Sequence, residues 1–227
     1  MKPTVVLFDV DGTLVRTGGA GSRALRRAFG ELHGAPDAPR AIDVRGNTDG
    51  RIVADALALI GIEPTEAAID HVLDAYLVAL ADEVAASPGY EVLAGVREIL
   101  ESLDGRDGYA IGLGTGNVMR GAAIKLARGG LDRYFDFGGY GCDSAHRPSL
   151  VRAGAERGAR KLGVDLGACR VVVLGDTPRD IDAARAIGAD VVAVATGGHP
   201  LDELAGHGPD LAVESLSDAR VRALLGH

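Results

Sequence analysis

The chain has 227 residues and carries 24 Lys and Arg against 32 Asp and Glu, so its formal net charge is -8. This acidic balance argues against a surface that binds nucleic acid or anionic membranes. A chain of this length predicts one core domain with a smaller inserted or appended unit.

Cysteine content and hydropathy indicate the compartment in which the protein is expected. Cys142 and Cys169 are too few for a disulfide framework. No apolar stretch approaches the ~20 residues that a membrane-spanning helix needs, and no charged leader precedes the first apolar run. We therefore expect a cytoplasmic protein with neither nucleic acid nor membrane as a partner.

Short apolar runs alternate with helical patterns along most of the chain. The predicted strands are TVVLF (4–8), YAIGLG (109–114), YFDFGG (134–139), RVVVLG (170–175) and DVVAVA (190–195). Helical spacing of apolar residues separates the later strands, in 95–103, 118–130, 149–163 and 178–189. Alternating strands and helices predict a doubly wound, Rossmann-like α/β core with a parallel sheet covered on both faces.

The interval between the first two predicted strands breaks this rhythm. From about residue 16 to 87 the sequence predicts consecutive helices and no strand. A crossover between parallel strands needs only about a dozen residues, so this excursion predicts an inserted helical domain. We expect a core formed by 1–15 and 89–227, and a small α-helical cap formed by 16–88.

Polar residues follow the predicted strands at their carboxyl ends, where ligands bind in open α/β sheets. Each of the first four predicted strands is followed by its own candidate site residues. These residues are Asp9 and Asp11 after the first strand, Thr115, Gly116 and Asn117 after the second, Arg147 beyond the third, and Asp176 and Asp180 after the fourth.

Three carboxylates in one pocket repel one another by about 4 kcal/mol per pair at 4 Å and an effective dielectric of 20. Asp9, Asp11 and Asp176 therefore predict either a shifted pKa or a divalent cation, and oxygen ligands without His or Cys favour Mg²⁺. With an arginine, a threonine hydroxyl and backbone N–H groups, such a site suits a phosphoryl group. One carboxylate would attack phosphorus while its neighbour transfers protons.

The motifs DVDGT (9–13), GTGN (114–117), an arginine before Pro148 and GDTPRD (175–180) resemble the four motifs of the haloacid dehalogenase superfamily. Their order and spacing match. The helical segment after the first motif resembles the small helical cap of that superfamily. The resemblance therefore covers the whole chain.

The resemblance implies a role for each motif residue. Asp9 would be the nucleophile and a Mg²⁺ ligand, and Asp11 the acid and base whose backbone carbonyl also contacts the metal. Asp176 would be a further metal ligand, and Asp180 would hold the waters of the metal. Thr115, with Gly116 and Asn117, would bind the phosphoryl group. Arg147 stands where the family more often has lysine, and Lys161 is the alternative for that position.

Differences within the superfamily narrow the expected reaction. Dehalogenases lack the second aspartate, which is present here as Asp11, and phosphonatases use a cap lysine, whereas 16–88 contains no lysine. Sugar phosphomutases have a cap loop similar to VRGNTDG (44–50), but with arginine in place of Asp49. The chain thus looks most similar to phosphoglycolate phosphatase-like hydrolases, which act on small phosphorylated metabolites.

Two other functions stay open. A sugar phosphomutase would use the same aspartyl-phosphate intermediate, and a phosphoaccepting or phosphate-sensing module would take up phosphate without turnover. In the cap, Arg45, Asn47 and Thr48 are candidates for substrate specificity, and Asp49 could also reach the substrate, although NTDG (47–50) also fits an N-cap followed by the start of a helix.

Overall fold

The computed structural model describes residues 2–226. Its strands are β1 Thr4–Phe8, β2 Val15–Thr17, β3 Tyr90–Val92, β4 Tyr109–Gly114, β5 Gly138–Gly139, β6 Arg170–Gly175, β7 Asp190–Val194 and β8 Leu211–Val213. Its α-helices are α1 Ala20–His33, α2 Asp49–Leu59, α3 Glu66–Ala86, α4 Val96–Leu103, α5 Met119–Ala127, α6 Arg147–Lys161, α7 Pro178–Ala186, α8 Leu201–Gly206 and α9 Ala219–Leu224.

The core is a six-stranded sheet in the order β5-β4-β1-β6-β7-β8. All its neighbouring strands are parallel, which confirms the predicted doubly wound α/β fold. The chain builds β4 and β5 on one side of β1 and then crosses to build β6, β7 and β8 on the other. Ligands of such sheets bind where the strand order reverses, so the carboxyl ends of β1, β4 and β6 define the expected site.

Strand β1 is buried on both faces, as its uninterrupted apolar run predicts for the centre of a parallel sheet. Val6 and Phe8 belong to the hydrophobic cluster that includes residues of α4, α5 and α9. Val5 and Leu7 belong to the opposite cluster, which includes residues of α6 and α7. Phe8 pairs in register with Leu113 of β4 and Leu174 of β6, so the three strands end side by side.

Helices α1, α2 and α3 form a hydrophobic cluster of their own, with Phe29 and Tyr76 among its largest fully buried side chains. The antiparallel ribbon of β2 and β3 joins this helical segment to the core at both crossings. We propose on this packing that 16–88 is a cap domain inserted into the core. None of the helices found within residues 2–226 has both the length and the apolar character to cross a membrane.

One predicted strand is shorter in the structure, and three strands of the structure were not predicted. The third strand was expected over 134–139, but only Gly138–Gly139 pairs with β4, because Phe135 packs edge-on against Phe8 with ring centroids 6.1 Å apart instead of extending the sheet. Strand β8 was not predicted, since LAV is too short to show alternation. The ribbon strands β2 and β3 were not predicted either, because each has only three residues.

The close approach of β5 to α6 places Arg147, the first residue of α6, beside the carboxyl end of β1. A Cβ atom at Gly139 would lie 1.7 Å from the carbonyl oxygen of Leu150, and one at Gly154 would lie 2.8 Å from the Gly139 nitrogen. Both glycines therefore allow helix and strand backbones to touch, which no other residue type permits.

Gly139→Ala should destabilise the protein by about 3 kcal/mol or more, because its methyl group can be accommodated only by moving backbone. Gly167→Ala is the matched control, since a Cβ there meets nothing within 4 Å. We expect the control to change stability by less than about 0.5 kcal/mol. Thermal unfolding measures both, and equal midpoints for the two variants would contradict the packing argument.

Candidate active site

The structure brings Asp9, Asp176 and Asp180 together at the carboxyl ends of β1 and β6. One carboxylate oxygen from each residue lies within 4.8 Å of the others, and all three side chains are buried. Asp9 directly follows β1, and Asp176 directly follows β6. Because β1 and β6 are adjacent and in register, residues 167 positions apart in the chain share one small volume.

Arg147 is the cation that contacts this cluster. Its Nη2 lies 3.2 Å from Asp9 Oδ2 and 2.5 Å from Asp180 Oδ1, and its side chain is buried. Lys161, the alternative considered from the sequence, lies at the other end of α6 and pairs instead with Asp136 at 2.6 Å. The structure thus places Arg147, and not Lys161, in the candidate site.

The three buried carboxylates of the cluster carry more negative charge than the single guanidinium of Arg147 can neutralise. Burial raises the pKa of Asp9 to about 6, with Arg147 opposing this rise and Asp180 adding to it. Burial also raises the pKa of Asp176, and the nearby Asp9 and Asp180 push it in the same direction. One guanidinium against three buried carboxylates leaves a cluster of oxygen donors that fits a hard divalent cation.

Asp180 differs from the other two carboxylates because protein donors already occupy both of its oxygens. Its Oδ1 accepts from Arg147, while Oδ2 accepts from the Thr177 N–H at 3.0 Å and the Thr177 hydroxyl at 2.7 Å. Thr177 is the N-cap of α7 and Asp180 its third residue, so the pair forms a capping box. Asp180 is therefore fitted to orient Arg147 and its surroundings, and less fitted to bind a metal directly.

Asp176 packs against two glycines and a threonine. The Thr13 hydroxyl donates to Asp176 Oδ1 at 3.1 Å. A Cβ at Gly12, where φ is +78°, would lie 2.5 Å from Asp176 Oδ2, and a Cβ at Gly197 would lie 1.6 Å from that oxygen. Any side chain at either glycine would displace the carboxylate. Gly197 was not identified from the sequence, since a glycine after the fifth predicted strand gives no sign of touching Asp176.

The loop after β4 supplies Thr115, Gly116 and Asn117. The Thr115 hydroxyl accepts from Asn117 Nδ2 at 2.9 Å, and it lies close enough to the Asp9 carboxylate to lower the pKa of Asp9. Gly116 N–H has no acceptor within residues 2–226 and lies in the cavity wall. The Asn117 N–H, expected from the sequence to be available for phosphate, donates instead to the Thr115 hydroxyl at 3.3 Å. The local turn from Thr115 to Asn117 accounts for this difference.

Asp11 lines the same cavity as Asp9 but has different partners. Its Oδ2 accepts from Lys125 Nζ at 2.6 Å and from Asn117 Nδ2 at 2.9 Å. Lys125 was not identified from the sequence. A signal was present: it shares the buried face of α5 with Ala122 and Leu126, where a lysine is unusual.

A cavity of about 390 Å³ lies between the core and the cap. Of the three specificity candidates, Arg45 and Asn47 line it, whereas Thr48 does not. Thr48 is the N-cap of α2, and its hydroxyl accepts from the Arg51 N–H. Asp49, which the sequence placed within reach of the substrate, also lines the cavity, as does Tyr76, which was not proposed from the sequence.

Asp49, the first residue of α2, is hydrogen-bonded to the loop after β4. Its N–H donates to the Gly116 carbonyl at 2.9 Å, and its Oδ2 accepts from the Val118 N–H at 2.9 Å. Val118 is the N-cap of α5, so the carboxylate sits at the positive end of that helix. Burial raises the pKa of Asp49, and Lys125 opposes that rise.

The preceding cap residues contact the core as well. Arg147 Nη1 donates to the Gly46 carbonyl at 3.1 Å, and Arg179 Nη1 donates to the Arg45 carbonyl at 2.6 Å. The loop of residues 45–46 therefore contacts the same arginine that binds Asp9.

Comparison with known proteins agrees with this geometry. The family model of the haloacid dehalogenase-like hydrolases matches residues 3–188. The chain therefore belongs to this family and is a hydrolase, which confirms the resemblance inferred from its motifs.

Two relatives align along most of their length. The chain is 30% identical over 219 residues to a protein of Dickeya dadantii named "Probable phosphatase IndB", covering 96% of this chain and 92% of the relative. It is 33% identical over 203 residues to a "Phosphoglycolate phosphatase" of Rhodospirillum rubrum, covering 86% of this chain and 80% of the relative. Among solved structures, CbbY of Rhodobacter sphaeroides in complex with phosphate has the same fold, with a TM-score of 0.71 and 19% identity over 96% of each chain.

The raised pKa of Asp9 predicts a pH-dependent stability of the metal-free protein. A carboxyl whose pKa rises from 3.8 to about 6 on folding binds its proton more tightly in the folded state. Its contribution to stability is therefore largest at low pH and is lost as pH rises through the folded pKa. Between about pH 5 and pH 8 the free energy of unfolding should fall by about 1.4 kcal/mol, which lowers the midpoint of thermal unfolding by roughly 3–6 °C.

Asp9→Asn removes this titration, so its midpoint should fall less than that of the parent protein over the same interval. Thermal unfolding in a chelator measures the difference. Asp136→Asn, which changes an exposed carboxylate paired with Lys161, controls for the loss of one acidic group. Identical pH profiles for the parent and Asp9→Asn would contradict a raised Asp9 pKa.

Proposed function

We propose that this hydrolase is a phosphatase that cleaves small phosphate monoesters through an aspartyl-phosphate intermediate on Asp9. The observation that carries the proposal is the position of Asp9, between the guanidinium of Arg147 and the Thr115 hydroxyl, in the wall of the cavity. A nucleophile in that position has cationic and hydrogen-bonding groups ready for a phosphoryl dianion.

Two proton transfers by Asp11 would complete the reaction. An oxygen of Asp9 attacks phosphorus and the bond to the ester oxygen breaks, while Asp11 gives its proton to the departing oxygen. Asp11 then removes a proton from a water molecule as that water attacks the phosphoryl group, which frees Asp9 and releases phosphate. Asp11 lines the cavity two residues from Asp9, which supports this division of roles.

Mg²⁺ is the cation that we propose for the carboxylate cluster. Asp9 and Asp176 would hold it together with the backbone carbonyl of Asp11, while Asp180, which the sequence assigned to the metal's waters, would instead orient Arg147 beside it. A bound cation would supply positive charge against the phosphoryl oxygens. The all-oxygen donor set and the deficit of positive charge among these buried groups support the choice.

Arg147 would bind the phosphoryl oxygens with the Thr115 hydroxyl and the Gly116 N–H. A guanidinium is planar and always charged, so it suits two oxygens of one phosphate in place of the lysine found more often in the family. Since Asp180 accepts from both Nε and Nη2 of Arg147, the guanidinium is held in one orientation before substrate binds.

The substrate class follows from cavity size and from the relatives. A cavity of about 390 Å³ suits a small phosphorylated metabolite, and the relatives are named as a probable phosphatase and a phosphoglycolate phosphatase. We therefore propose phosphoglycolate-like esters as the first substrates to test. Cytoplasmic location stays a prediction from the sequence.

Phosphomutase activity is less favoured. A mutase must also bind a second phosphate or sugar oxygen on the cap side, where this chain has the buried carboxylate of Asp49 close to that of Asp11. Lys125 offsets part of this charge, but the cap still offers a carboxylate at the position where the phosphomutases have an arginine, which supports hydrolysis.

The proposal predicts release of inorganic phosphate from one or more esters in a panel of phosphorylated metabolites, with loss of turnover in a chelator and recovery with Mg²⁺. Asp9→Asn should reduce kcat by at least about 1,000-fold, because the amide is not a nucleophile. The matched variant Asp136→Asn should retain parental activity.

Parental activity in Asp9→Asn would contradict the role of Asp9. Transfer of phosphate between two positions of one sugar, without net release, would favour a phosphomutase. Uptake of one phosphate per chain without multiple turnover would favour a phosphate-sensing module.

A further inference from the structure

Lys125 is a buried cation that the proposed reaction does not use. Only 6% of its side chain is exposed, and it lies on α5 below cap residues Gly21 and Tyr76. Taking an ammonium group out of water costs several kcal/mol unless close partners compensate. An apolar side chain would fill this position at lower cost, so a role in packing alone does not explain a lysine there.

The hydrogen bonds of Lys125 are directed to two residues of the cavity wall. Its Nζ donates to Asp11 Oδ2 at 2.6 Å and to Asn117 Oδ1 at 2.6 Å. Both distances are short, as expected for charge-assisted hydrogen bonds. The ammonium group therefore holds a carboxylate and an amide in fixed positions relative to each other.

The contact with Asn117 fixes the orientation of its amide. Because Oδ1 accepts from Lys125, Nδ2 must face the other way, where it donates to Asp11 Oδ2 and to the Thr115 hydroxyl. Thr115 in turn lies close to the Asp9 carboxylate and lowers the pKa of Asp9. The hydrogen-bond network of Lys125 thus includes Asp11 and extends to Thr115, the neighbour of Asp9.

The same contacts distinguish the two oxygens of Asp11. Its Oδ2 has two donors, whereas within residues 2–226 no group donates to Oδ1. The Asp11 side chain is 43% exposed to the cavity, so without these donors its carboxyl group would be free to rotate. With them, one oxygen is held and the other is left for the departing group.

We propose that Lys125 is a positioning residue that holds Asp11 Oδ2, directly and through Asn117, so that Oδ1 faces the departing ester oxygen. The inference rests on the proposed phosphatase function and adds a residue to it. Lys125 touches neither the phosphoryl group nor the metal in this account, and it acts entirely through Asp11.

The test compares two esters of similar shape whose leaving groups need a proton to different degrees. p-Nitrophenolate departs readily without protonation, whereas phenolate depends much more on a proton donor. In Lys125→Met, kcat/KM should fall by about 100-fold for phenyl phosphate and by no more than about 3-fold for p-nitrophenyl phosphate. kcat/KM is the right quantity because it excludes the later attack of water on the phosphorylated enzyme.

Three further variants complete the design. Lys125→Arg keeps the charge and the donors, so its ratio of kcat/KM for the two esters should stay within about 3-fold of the parental ratio. Lys125→Gln should shift the ratio in the same direction as methionine. Lys161→Met removes an exposed lysine of α6 and should leave the ratio unchanged. Because both esters report on the same active molecules, a partly unfolded preparation does not alter the ratio.

An equal loss on both esters in Lys125→Met and Lys125→Gln would overturn the inference, since a merely structural role lowers both alike. Parental values for both variants would overturn it as well. If the parent enzyme hydrolyses neither these esters nor any member of the metabolite panel, the proposed function itself is wrong.

Discussion

The gathering of buried carboxylates around one guanidinium is the constraint on which the rest of the structure depends. Asp9, Asp176 and Asp180 lie within reach of one ligand, and Arg147 alone among their contacts offsets their charge within the described chain. Such a cluster is unfavourable for folding, because burial raises the pKa of both Asp9 and Asp176. The fold maintains it by adjacent in-register strands and by glycines that leave room for the carboxylate of Asp176. A protein that keeps unfavourable groups together in a cleft is typical of a functional site.

The cap is fastened to the groups that would bind phosphate. Asp49 contacts the loop of Gly116 through both its N–H and its carboxylate, and the Gly46 carbonyl accepts from Arg147. Closure of the cap and the positions of the phosphate-binding groups are therefore coupled by direct hydrogen bonds. In the proposed reaction, these contacts would let the cap influence the phosphate-binding groups as well as the choice of substrate.

The sequence predicted most of the fold because its signals were local and consistent. The run TVVLF predicted a buried central strand, and α1, α2 and α3 lie in the segment that was predicted to hold consecutive helices, from about residue 16 to 87. The third strand was predicted too long, since the aromatic pattern near Phe135 reflects packing against Phe8 and not sheet pairing. Two site residues, Lys125 and Gly197, were missed because their roles arise from contacts between distant parts of the chain. Lys125 contacts Asp11, which is more than 100 positions away. Gly197 lies against Asp176 across a strand crossover. The contact between Gly197 and Asp176 leaves no local pattern in a single sequence, whereas Lys125 gave one sign, a lysine on the buried face of α5, that did not reveal its partner.

The central claim is that Asp9 accepts the phosphoryl group. The most direct measurement is rapid acid quenching of the enzyme during turnover of p-nitrophenyl phosphate, followed by tandem mass spectrometry of the peptide that contains Asp9 and Asp11. The account predicts one phosphoryl group, located on Asp9. A phosphoryl group on Asp11 or Asp176, or turnover without any phosphorylated peptide at every quench time, would contradict it.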